Sequence, residues 1–286
     1  MTGEGLIQRK KSVKESLLTA LACFLLLPVI VAPVQFTKEE ITQRGKFEEL
    51  LKTAEIVKAR EIGEGVTKPW RLFLKTDESE ISGCWKNPEG IQKGHLEGWQ
   101  YEIAAYRMDK LLGLDMVPPT VEREFEGKRG SFQLWIQSEF SLLDVMEKGI
   151  PLPDKNPEVT IFNRGKYLTR AFDSLIANDD RTQQNILYTK DWRTILIDHS
   201  RAFRSARKNR KRLLYGKNGS KEKKLFRQLP HAFVARIKSL DYETIESAVR
   251  PYLKDEEIKA LLARKELILS EIEEMIAELG EEKILY

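Results

Sequence analysis

The chain has 286 residues, 41% of them hydrophobic and 32% charged, with a formal net charge of +4. That length supports a sizeable core, as one large domain or two lobes, and the near-balance of charge gives no reason to expect a specific nucleic-acid partner. Two cysteines, Cys23 and Cys84, exclude a disulfide framework, and His95, His199 and His231 have no zinc-ligand spacing.

Arg9, Lys10, Lys11 and Lys14 precede an uncharged apolar run from Leu17 to Val34. A basic head before such a run reads as a signal peptide or N-terminal membrane anchor over residues 1–36. An anchored or exported protein is the expectation, and the positive-inside rule then puts the body outside the cytoplasm. Pro28 and Pro33 interrupt the run.

Thr37 to Lys58 reads as one helix, capped by Thr37, with Ile41, Phe47, Leu50 and Leu51 at helical spacing. Residues 61–66 form a glycine turn. Strands are expected over 71–75 and 81–86, the second ended by Asn87-Pro88. A helix runs from about Gly98 to Leu112 and stops at Gly113. Residues 121–125 and 130–136 flank Glu126-Gly127-Lys128-Arg129 as a hairpin.

Pro151 to Pro157 reads as a linker between an N-terminal region, 37–150, and a C-terminal one, 151–286. Residues 161–178 are helical in pattern. Two short strands, 185–188 and 193–197, turn around Lys190-Asp191. A basic loop follows, then a helix capped by Asp241 and broken at Pro251, then a long helix from Lys254 to Leu279. The order is strands first, with one helix inserted, and helices second, an α+β plan in two lobes.

Between the helix over 161–178 and the second short strand lies a polar set. Asp180 and Asn185 are five apart, and Asp198 follows thirteen later at the end of Thr194-Ile195-Leu196-Ile197. A carboxylate that ends an apolar strand is costly unless paired or metal-bound. A hairpin would bring Asn185 and Asp198 side by side as two oxygen ligands for Mg²⁺, with phosphates and waters completing the shell. Asp180 would then meet an attacking hydroxyl, and Arg181 would hold the loop through its forked donors. A salt-bridged structural Asp198 is the plain alternative.

Phosphoryl transfer of this kind also needs a strand lysine and a helix carboxylate. Lys86 is preferred to Lys75 because a glutamate-bearing helix follows it. Glu102, flanked by Tyr101 and Ile103, is preferred to Glu97 as its partner. Gly63 and Gly65 would let backbone amides approach a nucleotide, or simply turn a hairpin.

Residues from about 55 to 204 resemble the protein-kinase-like superfamily. The resemblance is closest to the atypical branch of HipA-type kinases, phosphatidylinositol 3- and 4-kinases and secretory-pathway kinases. Asp180-Arg181-x-x-x-Asn185 resembles the Asp-Arg-His-x-x-Asn loop of that branch, with Thr182 at the histidine position. Ile197-Asp198-His199 stands where Asp-Phe-Gly would. Trp99 to Leu114, followed by Val117-Pro118-Pro119-Thr120-Val121, is similar to the glutamate helix and next strand of bacterial members.

The resemblance implies a bilobal kinase-like fold, a small antiparallel sheet with one key helix and then a mainly helical lobe. It implies ATP with Mg²⁺ or Mn²⁺, a Lys86–Glu102 ion pair, and Asp198 as metal aspartate. Gln133 to Ser138 would be the adenine-facing strand and hinge, with Gln133, Trp135, Ile136 and Ser138 beside the nucleotide. Thr182, His199-Ser200 and the sparse glycine loop depart from the pattern and keep a nucleotide-binding pseudokinase as the alternative. A metal-dependent hydrolase ranks third, for want of further clustered carboxylates and histidines.

From Arg201 to Arg227 the chain is strongly basic, with Glu222 its single acid. It would dock an acidic acceptor or an anionic membrane surface, or form a solvated loop. A monomer is expected.

Overall fold

Thr37 starts the first described helix with a reciprocal cap: its hydroxyl accepts from the Glu40 amide, and its own amide donates to the Glu40 carboxylate at 2.6 Å. The computed structural model describes residues 36–63, 68–76, 81–217, 219–221 and 227–286. They belong to the unit Pro33–Tyr286. The apolar N-terminal run, Gly65, and Lys223 and Lys224 of the basic segment lie outside the described residues. Among the described residues no helix is long and apolar enough to cross a membrane.

The expected helix over 37–58 is instead α1 (Lys38–Thr42) and α2 (Arg44–Thr53), and Ile56–Glu61 is strand β1. Ala54 turns extended, and Ile56 and Lys58 pair with β2 across a register shift at Val57, so strand pairing overrides the helical spacing there. β2 (Trp70–Leu74) and β3 (Ile81–Lys86) follow. The hairpin of β4 (Glu89–Gln92) and β5 (His95–Gly98) was not anticipated by the sequence reading. Helix α3 (Trp99–Leu112) ends on Gly113, whose φ of 57° is the left-handed cap that glycine adopts without strain. β6 (Thr120–Phe125) and β7 (Lys128–Leu134) make the expected hairpin.

The five-stranded sheet runs β1-β2-β3-β7-β6, each neighbouring pair antiparallel. Side chains alternate across it. Leu72, Leu74, Trp85, Val121 and Phe132 pack with Leu51 of α2 on one face. The register pairs Arg71 with Cys84, Cys84 with Gln133, and Lys86 with Ser131, so these residues share the other face.

β8 (Phe140–Ser141) and α4 (Leu142–Lys148), which the sequence reading left without elements, follow β7. Helix α5 (Glu158–Ile176) leads through a 3₁₀ turn, Gln183–Asn185, into β9 (Ile186–Tyr188) and β10 (Thr194–Leu196), and β8 joins these as a third strand. The remainder is helical: α6 (Arg207–Lys211), α7 (His231–Ser239), α8 (Tyr242–Val249), α9 (Asp255–Leu279) and α10 (Glu281–Ile284). Asp241 caps α8 as expected. Helix α6 lies within the basic segment 201–227, and α7 follows it.

The protein is therefore α+β, an N-terminal antiparallel sheet followed by a largely helical region. Helix α3 is strand-flanked in sequence but helical in its packing. Its Met108 and Leu112 bury with Phe172 and Ile176 of α5, Phe233 of α7 and Ile258 and Leu261 of α9. It is anchored in the helical core while its first turn reaches the sheet.

Gly83 marks a close approach within the sheet. A Cβ there would lie 2.5 Å from the Phe132 ring and 2.6 Å from the Gln133 carbonyl oxygen. Gly83→Ala is expected to destabilise the protein by about 1–3 kcal/mol through overpacking. Urea unfolding should show a lower midpoint at unchanged slope. An unaltered midpoint would mean that β3 and β7 have slack to give.

Candidate functional site

The inward register of β3 presents Lys86, and the first turn of α3 presents Glu102. Lys86 Nζ donates to Glu102 Oε1 at 3.2 Å and to Asp198 Oδ1 at 3.0 Å, joining residues 16 and 112 positions away. The Lys86 and Glu102 side chains are 16% and 3% exposed, while Asp198 is 37% exposed and keeps one side open. Burial opposes the charge on Lys86, but Asp198 and Glu102 outweigh it and hold the ammonium well above its usual pKa. Burial likewise opposes ionised Glu102, yet Lys86 and His199 hold the carboxyl below its ordinary range. Cys84, one inward position before Lys86, is half-buried, and desolvation pushes its thiol pKa up to about 11.

Asp198 has φ 60°, in the left-handed region that Asp tolerates better than most residues. Its Oδ1 also receives the Ser200 hydroxyl at 3.3 Å. The Ile197 amide donates to the Asn185 carbonyl at 3.2 Å, which draws Asn185 to the Asp198 end of the hairpin. Asn185 is buried.

Arg181 organises the loop. Nε and Nη2 donate to the two oxygens of Asp173 at 3.0 and 2.9 Å, and Nη1 donates to the carbonyls of Asn185 at 3.2 Å and Ile197 at 2.5 Å. Nη2 also lies 2.9 Å from His199 Nε2. Guanidinium only donates, so Nε2 must accept, and the ring proton sits on Nδ1. His199 is thus a neutral imidazole, as burial and the charge of Arg181 also require by lowering its pKa. Its backbone amide donates to Glu102 Oε2 at 2.9 Å.

Asp180 lies in the turn after α5, with Arg201 Nη1 at 3.1 Å from Oδ2. Burial raises its pKa, Arg201 opposes the rise, and Asp198, Asp179 and Glu97 add to it. Arg201 also grips Glu97 Oε1 through Nε and Nη2, at 2.9 and 2.7 Å. Sequence reasoning weighed Glu97 only as a substitute for Glu102 and did not single out Arg201, which looked like one cation in a basic run. The rejected Lys75 pairs with Glu55 in solvent.

The remaining nucleotide candidates belong to β7, to the segment after it and to the β1–β2 connection. Gln133 donates to Thr120 Oγ1 at 2.9 Å within the sheet. Trp135, 38% exposed, stacks under the Arg71 guanidinium at 4.2 Å. Trp135 and Ile136 line a cavity of about 360 Å³ with Phe36, Arg44, Phe47 and Pro119, and neither Lys86 nor Asp198 lines it. Ser138 is half-buried in the segment after β7. Gly63 lies in the β1–β2 connection, where a Cβ would meet nothing within 4 Å, so no contact demands glycine there.

Among the described residues no three His, Cys, Asp or Glu side chains gather to hold a metal ion. One carboxylate and one carboxamide, Asp198 and Asn185, are the oxygen donors at hand. That set is too small for a resident metal cage but suits Mg²⁺ carried in with phosphates, which keeps most of its waters. No protein-family model matches this chain, and no curated protein matches it.

Two outcomes follow from the charges. Arg181 and Asp173 are 2% and 0% exposed, so Asp173→Ala strands a buried guanidinium and should cost about 3–5 kcal/mol. A loss below about 1 kcal/mol, typical of a surface pair, would remove Arg181 from this role. Glu102 has a folded pKa below its ordinary 4.5. Its ionisation therefore adds stability that is fully present above 4.5 and is lost as pH falls through the folded value. Thermal melts taken below pH 4.5 should fall less steeply for Glu102→Gln than for the parent. Parallel slopes would contradict the pairing.

Proposed function

We propose that the protein is an ATP- and Mg²⁺-dependent phosphotransferase of protein-kinase-like build, which moves the γ-phosphoryl group to a hydroxyl. The observation that carries this is Lys86 Nζ held between Glu102 at 3.2 Å and Asp198 at 3.0 Å. A lysine on the third strand, a glutamate on the next large helix and an aspartate beyond the loop Asp180–Asn185 are the polar set such transfer uses. The sheet over 37–150 and the helices over 151–286 then correspond to a nucleotide lobe and an acceptor lobe.

Asp198 and Asn185 would hold Mg²⁺, or Mn²⁺ in its stead, which would offset the negative charge of the phosphates. Lys86, fixed by Glu102, meets the α- and β-phosphates. Asp180 orients the acceptor hydroxyl and takes its proton. The bond from the γ-phosphorus to its bridging oxygen breaks, the acceptor oxygen bonds to phosphorus, and ADP leaves. The raised pKa of Asp180 makes it a better proton acceptor than an ordinary aspartate. Most of the acceleration comes from positioning and charge stabilisation.

A nucleotide-binding protein without transfer is the second reading. Thr182 at the histidine position of the loop and His199-Ser200 in place of Phe-Gly favour it, as departures from the pattern the sequence resembles. In either reading the N-terminal apolar run would tether or export the protein, and the basic segment 201–227 would meet an acidic acceptor or an anionic membrane surface.

Thermal unfolding with Mg–ATP tests nucleotide binding. At about 100 times Kd the ligand should add roughly 2.7 kcal/mol to the folded state. The shift should be present in the parent and absent in Asp198→Ala. No shift in the parent would count against both readings. Asp180→Ala should keep the shift and lose ATP turnover; turnover at the parental rate would remove Asp180 from the reaction.

A further inference from the structure

Glu97 closes β5 immediately before α3, and its side chain is 3% exposed. A buried carboxylate there serves no packing purpose and is costly unless matched. Arg201 matches it with two donors and spends a third on Asp180, whose own side chain is 41% exposed. The second Glu97 oxygen accepts the Ser200 hydroxyl at 3.3 Å, and that hydroxyl also lies 3.3 Å from Asp198 Oδ1. The Gly98 amide donates to the Ser200 carbonyl at 2.9 Å. Glu97 and Glu102 thus flank the start of α3. One leads through Arg201 to Asp180, and the other through Lys86 to Asp198.

We propose that Arg201 is a positioning residue for Asp180 and takes its own place from Glu97, so the start of α3 sets both aspartates of the site together. The assignment rests on the phosphotransfer reading. Asp180 belongs to a half-exposed turn, and among the described residues Arg201 is the ion-pair partner of its carboxylate, at 3.1 Å, with the side chain still 41% exposed toward an acceptor. Arginine suits the task because its planar fork serves two carboxylates at once, which a single ammonium does with poorer geometry. The device makes assembly conditional. A displaced α3 loses the Lys86–Glu102 pair and the orientation of Asp180 in one movement.

The test uses the full chain with Mg–ATP, water as acceptor, and ADP release as the signal. Arg201→Gln should lower kcat on the order of 100-fold, the scale of a misplaced catalytic group, with KM for ATP and the Mg–ATP thermal shift as in the parent. Arg201→Lys should recover part of the loss. Glu97→Gln should fall as Arg201→Gln does, and the double variant should fall no further, as expected of residues acting as a unit. Should Arg201→Gln fail to fold, Arg201→Lys and Glu97→Gln carry the test. Parental or higher kcat in either would overturn the assignment, and so would a loss of ATP affinity in step with kcat. Loss confined to the Arg201 variants at parental turnover in Glu97→Gln would also overturn it. A parent that binds Mg–ATP without releasing ADP removes the phosphotransfer reading itself, an outcome distinct from active Arg201 variants.

Discussion

A buried ammonium shared by two carboxylates is the constraint on which the rest of this structure turns. Taking Lys86 out of water costs several kcal/mol unless opposite charge arrives with it. Its two partners come from helix α3 and from the segment after β10, far apart in sequence. Both must be delivered to one face of the sheet. The β3–β7 register supplies that face, since a slip of one residue would turn Lys86 toward α2 and the apolar layer. Anchoring of α3 in the helical core supplies the other side. The pair is thus a joint between sheet and helices as well as a candidate phosphate contact.

A second buried charge secures the loop. Arg181 spends its donors on Asp173, two carbonyls and the neutral His199. Asp173 ties it to helix α5, and the carbonyls of Asn185 and Ile197 with the His199 ring tie it to the hairpin and the segment beyond. In the proposed reaction such a loop needs no rearrangement when charge develops, which is how fixed dipoles and charges assist transfer. The price of burial is met by geometry, and hydrophobic packing beneath α5 completes the support.

Much of this was legible in the sequence because it is local. Alternation or helical spacing marked β3, α3, α5 and α9, and Gly113 and Asp241 marked ends. The interval from Asp180 through Asn185 to Asp198 needed only a helix before and a hairpin after. Chain order favoured Lys86 and Glu102 over Lys75 and Glu97. The misses have physical causes. The end of α2 near Ala54 is decided by a strand partner in β2, which helical spacing cannot register. β8 is two residues long and exists by pairing with β9. Arg201 sat among like-charged neighbours that composition cannot rank.

The sequence by itself determined the elements and the polar residues between them, because periodicity, caps and short spacings act within a few residues. It also determined an α+β order, through the succession of strands and helices. Only the tertiary structure decided which charges meet. Arg201 is one cation among many in a list, and Glu97 ranked behind Glu102; what sets the two apart is desolvation. A charge removed from water must find its counter-ion in the fold, whereas Lys75 and Glu55 remain in solvent and constrain little. That selection depends on where long-range packing puts each residue, and the chain alone does not express it.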